Sequence, residues 1–253
     1  MLQIISPAKS LDFKTETYPL PITKARFEHK AHELASTIKQ LSLPQLQKLL
    51  GVSSQLAQLN YERYQTWVFS GDDDKKPAIY AYNGDVYEGI DIHSLSTQAI
   101  LSINKNLRIL SGLYGVLRPS DGILPYRLEM SAPLHYDNHK DLYAYWSDTI
   151  TQTILSDISE GNHSYIINLA SQEYFKAIQV KKIPVPIVEC QFKDYKNGSL
   201  QMISFFAKKA RGMMVRYIAE QNAETPEHLQ GFDYGGYTFN AQLSSNLKLV
   251  FTR

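Results

Sequence analysis

The chain has 253 residues, 43% of them hydrophobic and 20% charged, with 26 Lys and Arg against 25 Asp and Glu. That length fits one large domain or two small ones and is ample for a buried core, while the charge balance excludes a histone-like polycation and leaves nucleic-acid binding to a local basic patch. No apolar run approaches the ~20 residues of a membrane span, and the single cysteine, Cys190, excludes a disulfide framework and fits a reducing cytoplasm.

Leu2-Gln3-Ile4-Ile5 reads as a short buried strand with no secretory signal in front of it. Ser6-Pro7-Ala8-Lys9 ends it, since proline cannot continue a ladder. Phe27, Ala31, Leu34, Ala35 and Ile38 have helical spacing and predict a helix from about Thr23 to Gln40. Ser42 caps a second helix near Pro44, Gly51 breaks it, and a third helix runs from about Ser53 to Trp67. Ser70-Gly71-Asp72-Asp73-Asp74 reads as an acidic loop, and Ala78 to Tyr82 suggests a strand. A helix ending before Leu107 hands over to a strand at Leu107–Leu110. Ser111 to Gly122 is punctuated by glycine and proline and shows no period. Asp141–Ile158 reads as a helix and Tyr165–Leu169 as a strand turning at Ala170-Ser171. Ile187–Tyr195 and Ser199–Phe205 flank Asn197-Gly198, a dipeptide suited to a tight hairpin. A helix follows over about Phe206–Gln221, and Leu247–Thr252 closes the chain as a strand. Irregular alternation with one hairpin and no repeat gives a mixed α/β (α+β) fold. No linker breaks the composition, so residues 1–253 read as one domain with a helical hairpin subdomain at about 40–70.

Three segments carry possible function. In the Phe206–Gln221 helix, Phe206, Ala207, Ala210, Met213, Met214, Tyr217 and Ile218 form an apolar stripe. Lys208, Lys209, Arg211 and Arg216 fall opposite it with Gly212 among them, where a glycine lets a phosphate or a backbone come close. The same cations also fit a plain solvated face. The Ser111–Met130 stretch holds Tyr114, Arg118, Asp121, Tyr126, Arg127 and Glu129, and long irregular loops tend to be functional; it also fits a structural crossover in which Arg127 and Glu129 pair. Pro44–Tyr64 resembles a helix-hairpin-helix, whose amides grip a phosphate without reading bases, with Lys48, Ser53 and Arg63 in support. Most such helical hairpins are packing units. His135, Asp137, His139 and Asp141 match no established metal spacing, and Cys190 alternates with Val188 and Phe192 toward a core. No phosphate-binding, dinucleotide or hydrolase motif is present, so neither cofactor nor metal is expected.

Ser6-Pro7-Ala8-Lys9-Ser10-Leu11-Asp12, Gly84-Asp85-Val86-Tyr87, Leu110–Leu117 followed by Pro125–Met130, Asn168-Leu169-Ala170-Ser171 and Ala207–Gly212 together resemble the YaaA family over essentially the whole chain. Asn83 departs from the lysine expected before Gly-Asp-Val-Tyr. The resemblance implies a cytoplasmic peroxide stress protein that limits iron-dependent hydroxyl-radical damage. It also implies a single compact fold unlike the common superfolds, a positively charged cleft, a helix-hairpin-helix and sequence-tolerant binding of double-stranded DNA. On that reading the DNA contacts are Lys9, Lys48, Ser53, Arg63, Arg118, Arg127, Lys208, Lys209, Arg211, Gly212 and Arg216. The competing class is an enzyme acting on a small molecule or nucleotide. Its pocket would join Ser6–Asp12, Ser111–Met130, Asn168–Glu173 and Lys208–Gly212, with Lys9, Asp12, Tyr114, Arg127, Glu129, Asn168, Ser171 and Glu173 as candidate catalytic groups. Direct iron storage is disfavoured, because no dense carboxylate or His/Cys cluster is present.

Overall fold

The computed structural model describes residues 1–15, 20–68 and 74–253. The first strand, β1 (Leu2–Ile5), is buried at every position, as an unbroken apolar run requires. Beyond Ser6 and Pro7 lies the short β2 (Ser10–Leu11). Helix α1 (Glu28–Lys39) buries Ala31, Leu34, Ala35 and Ile38. It starts later than Thr23 because that residue is held elsewhere: its N–H donates to the Ser120 carbonyl at 2.9 Å and its own carbonyl accepts from Gly122 at 2.8 Å. Helices α2 (Leu43–Leu50) and α3 (Ser54–Gln65) form a hairpin, opened by a capping box of Ser42 with Gln45 and joined through Gly51 and the Ser53 cap. Of the acidic stretch, only Asp74 lies within the described residues.

Strand β3 (Lys76–Pro77) leads into a short helix, α4 (Ala78–Ala81), which corrects the strand expected over Ala78–Tyr82. Every residue of α4 is buried, so its apolar character carries no strand period. Its amides are also taken, Ala78 donating to Asp121 O at 2.9 Å and Ile79 to Pro119 O at 3.1 Å. Next come β4 (Tyr82–Asn83), α5 (Asp85–Ile90), α6 (Thr97–Asn106) and β5 (Leu107–Ser111). The Ser111–Gly122 stretch does hold regular structure: β6 (Gly115–Leu117) and β7 (Gly122–Ile123), both too short to show a period. Asp141 caps α7 (Leu142–Glu160), followed by β8 (Ile166–Leu169) and the brief α8 (Gln172–Phe175). The expected hairpin consists of β9 (Ile187–Lys196) and β10 (Ser199–Gln201), turning through Asn197 and Gly198 at φ +53° and +78°. Strand β10 stops short of Phe205 because α9 (Ser204–Gln221) has begun. The chain ends with β11 (Thr238–Phe239) and β12 (Lys248–Thr252).

The main sheet runs β11-β12-β9-β8-β1-β5-β6, with β10 added on β9. Its inner pairings, β12 to β9 to β8 to β1 to β5, are parallel, and antiparallel β11 and β6 close the two sides. Strands β1 and β5 are buried throughout, so both faces of the sheet are covered there. Helix α9 packs on β9, and α7 packs on β6. Among the described residues no helix is long and apolar enough to cross a membrane. Topology then places the site. The next strand of the main sheet after β1 is β5 on one flank, whereas β8 is followed by β9 on the other. The strand order reverses at the carboxyl ends of β1 and β8, where Ile5 lies opposite Leu169. Crevices in open α/β sheets form at that point.

Candidate functional site

The reversal point opens into a crevice of about 410 Å³. Ser6 to Ser10 line it from the end of β1, Ser171, Glu173 and Tyr174 from the end of β8, and Gly84 to Tyr87 from the start of α5. Lys208 and Arg211 of α9 close the remaining side. The two strand-end loops are tied together: Ser6 Oγ donates to Ser171 Oγ at 3.2 Å and accepts from the Ser171 N–H at 2.9 Å. Tyr87 adds a third tie, its hydroxyl donating to the Ser6 carbonyl at 3.1 Å. At the mouth, Lys9 Nζ lies 3.3 Å and Arg127 Nη2 3.0 Å from Glu129 Oε1. Glu129 reaches this position because Gly112 has no side chain. A Cβ there would stand 2.4 Å from the Leu128 carbonyl oxygen, so only glycine lets the two backbones meet.

The structure corrects the reading of Gly212. It is buried, not centred on a basic face: a Cβ at Gly212 would stand 1.8 Å from the Val86 carbonyl oxygen, and one at Gly89 2.1 Å from that of Lys209. The two glycines let α5 and α9 cross backbone to backbone, which brings Asp85 and Tyr87 beside Lys208 and Arg211. Phe206 is exposed and Met213 only half-buried, while Val215 and Ala219 join the buried face in their place. The buried side of α9 is therefore rotated from the expected stripe, because it must cover both β9 and α5.

The electrostatics of the crevice are mixed. Arg211 is half-buried, and burial weighs against its charge while Glu189 favours it. Among the described residues it makes no hydrogen bond or ion pair. Lys208 approaches Asp85 only to 4.0 Å. Burial raises the hydroxyl pKa of Tyr87 and Tyr174, so both stay protonated at neutral pH. Behind the wall, Tyr126 connects Tyr82 (2.5 Å) and Ser111 (2.6 Å) through its hydroxyl, and burial pushes it up to about 12. Cys190 is buried, its thiol pushed up to about 12, which leaves no reactive thiolate. Among the described residues no group of three His, Cys, Asp or Glu is placed to hold a metal.

Lys9, Ser171, Glu173, Lys208 and Arg211 thus line one crevice, with Arg127 and Glu129 at its mouth. Three other candidate catalytic groups have local work. Asp12 accepts from the Lys14 and Thr15 amides, Tyr114 accepts from the Leu124 N–H, and Asn168 accepts from the Ala170 N–H. Among the basic candidates, Arg118 is held by Asp121 and the Lys24 carbonyl, and Arg216 by Asp91, Ser94 and Glu220. Ser53 spends its hydroxyl capping α3. Lys48 is exposed on α2, and Arg63 donates to Asn60 and lines a second hollow with Lys14, Lys75 and Lys76. Tyr174 was not singled out from the sequence, and Ser6, Asp85 and Tyr87 entered only through the resemblance. The glycine of Gly84-Asp85 beside Ala8 and the small-residue run after each strand are the signals that point to them.

Comparison with known proteins agrees with this geometry in extent. The family described as peroxide stress protein YaaA matches residues 1–243. A UPF0246 protein of Idiomarina loihiensis is 46% identical over 254 residues, covering 100% of this chain and 98% of the relative. A UPF0246 protein of Hahella chejuensis is 44% identical, covering 100% and 99%. One from Flavobacterium psychrophilum is 43% identical over 251 residues, 99% of each chain.

Proposed function

We infer that this chain, which belongs to the peroxide stress protein YaaA family, acts against peroxide damage in the cytoplasm by holding duplex DNA through its phosphates and limiting iron-dependent radical damage there. Family membership supports the peroxide-stress role. The DNA reading is supported chiefly by one observation: in a chain with almost no net charge, Lys208, Lys209 and Arg211 stand together within about one turn of α9 without a close carboxylate partner, although Arg216 further along the helix is paired. Lys208 comes no nearer than 4.0 Å to Asp85, and neither Lys209 nor Arg211 forms an ion pair among the described residues. The α2–α3 hairpin presents Lys48 and Arg63. It is fastened to the mouth of the crevice by Tyr64, whose hydroxyl donates to the Arg127 carbonyl at 3.0 Å. Phosphate contacts position a duplex without reading its sequence. Affinity should therefore fall steeply and linearly with salt on logarithmic axes, and unrelated duplexes should bind alike. The double variant Lys48→Ala/Lys209→Ala should flatten that slope by about two phosphate contacts, ~1.8 log units per log unit of salt. Salt-independent binding, or strong preference for one sequence, ends this reading.

The enzyme reading keeps one observation of its own, the meeting of Lys9, Glu129, Arg127 and Glu173 around a crevice at the reversal point. Against it, the paired hydroxyls of Ser6 and Ser171 have no base within hydrogen-bond reach among the described residues. Glu129→Gln separates the two. A binder keeps peroxide protection and holds or gains DNA affinity, whereas an enzyme loses protection with DNA affinity unchanged.

A further inference from the structure

The crevice is a poor fit to the duplex proposed above. Its volume of about 410 Å³ lies in the range of small-molecule sites, roughly 300–1,000 Å³, and a double helix cannot enter it. Its lining is also not that of a simple phosphate clamp. Lys208 and Arg211 stand one turn apart on α9 and share a face. Arg211 has a half-buried guanidinium with no hydrogen-bonding partner among the described residues, so its donors are open to an anion entering the crevice. The lining also holds hydrogen-bond acceptors, the Ser6–Ser171 hydroxyl pair and Glu173, whose Oε1 already accepts from the Ser131 N–H at 3.2 Å and the Ser131 hydroxyl at 2.7 Å and whose Oε2 is left for a ligand. Between the two ends the wall is apolar, built from Pro7, Ala8, Val86, Tyr87, Leu169 and Tyr174.

An occupant that satisfies all three surfaces has an anionic end, hydroxyl donors and a flat apolar body. A bare phosphate leaves the carboxylate and the apolar wall unused, and a sugar phosphate still leaves the wall. We propose that the crevice binds one nucleoside monophosphate unit, its phosphate on Arg211 and Lys208, its sugar hydroxyls toward Glu173 and Ser171, and its base against Tyr87 and Tyr174. Arg211 is the anchor, because a guanidinium meets two phosphate oxygens at once. The unit has two possible sources: a free nucleotide, or a nucleotide turned out of a DNA strand, since a stacked base must leave the duplex to enter any enclosed pocket. This proposal assigns Lys208 and Arg211 to the crevice and leaves Lys209, Lys48 and Arg63, which do not line it, to the duplex. Its first test contains no duplex, so either reading can fail alone.

The test titrates the full-length protein calorimetrically with dAMP, AMP, adenosine and inorganic phosphate. Saturable binding of dAMP or AMP, at least tenfold tighter than of adenosine and of phosphate, is expected. Arg211→Gln should weaken nucleotide binding at least tenfold. Arg211→Lys, which keeps the charge but not the fork, should fall between, with both variants checked for native circular dichroism. Lys181→Ala, an exposed change outside the crevice, should leave nucleotide affinity unchanged. Source is read with a duplex carrying 2-aminopurine at a mismatch. A fluorescence rise that Arg211→Gln abolishes assigns the unit to DNA, and no rise alongside tight dAMP binding assigns it to free nucleotide. Absence of both, equal affinity for phosphate and dAMP, or nucleotide binding untouched by Arg211→Gln overturns the proposal.

Discussion

Asp157 and Glu129 each lie between two cationic side chains, the first in the core and the second at the mouth of the crevice. Around Asp157 every near donor is used. Arg26 reaches both carboxylate oxygens, at 2.8 and 2.6 Å, and Arg108 does the same at 2.7 and 2.9 Å. Burial alone would push this carboxyl up, but the two guanidinium groups outweigh it and hold its pKa below the usual carboxylate range. Around Glu129 both cations touch the same oxygen, Oε1. Lys9 is 68% exposed, and Arg127 Nε is buried with no partner among the described residues. The first cluster is saturated, and its work is to bind the segment leading into α1 to β5 and α7. The second leaves a cation exposed and a donor unused beside a cavity. An ion cluster with spare donors has capacity for a ligand, and a closed one has none.

The sharpest way to break this comparison is Asp157→Asn. The buried Arg108 and the partly exposed Arg26 would both lose their counter-charge, and about 3 kcal/mol of stability should disappear. A urea midpoint that falls with an unchanged slope checks it. Gly212→Ala comes next, forcing α5 off α9 at a cost of about 1–3 kcal/mol. It should also weaken ligand binding in the crevice, because α5 carries Asp85 and Tyr87.

The pH dependence of stability carries a smaller signal. Burial lowers the His163 pKa from 6.5 to about 4. Between those values the unfolded chain binds a proton that the folded one does not, so stability should fall as pH drops from 6.5 toward 4. Asp157, whose folded pKa is the lower one, adds a further loss as pH falls through the acid range. Urea midpoints across pH should lose the upper part of this slope in His163→Gln and keep the lower part. A smaller effect than that of Asp157→Asn belongs to Glu129→Gln, since the isosteric amide keeps an acceptor for the largely buried Arg127 and the exposed Lys9 pair contributes little. A Glu129→Gln loss as large as that of Asp157→Asn would show that both clusters are structural.

Much of this was legible because it is local. The Ser42 cap, the hairpin at Asn197-Gly198, the helix from Asp141 and the buried alternation of Val188, Cys190 and Phe192 follow from nearby residues alone. Ala78–Ala81 was misread because a fully buried turn of helix and a buried strand share the same apolar composition. Gly212 was misread because a helical wheel shows which residues share a face and not what lies against that face.

The sequence by itself determined most helices and strands, and the family, through motifs scattered over the whole length. It also held the crevice residues, but as fragments more than 160 positions apart, such as Ser6 and Ser171. Tertiary structure decided that they meet, because β1 and β8 became parallel neighbours and the chain then left them in opposite directions. It decided too which cations are free. Arg118, Arg127 and Arg216 pair with carboxylates within four residues of them in sequence, whereas the fold leaves Arg211 half-buried and without an ion pair among the described residues. The physical reason is range: caps, turns and neighbouring charge pairs are settled within a few residues, whereas burial and backbone crossings depend on strand order that no local pattern encodes.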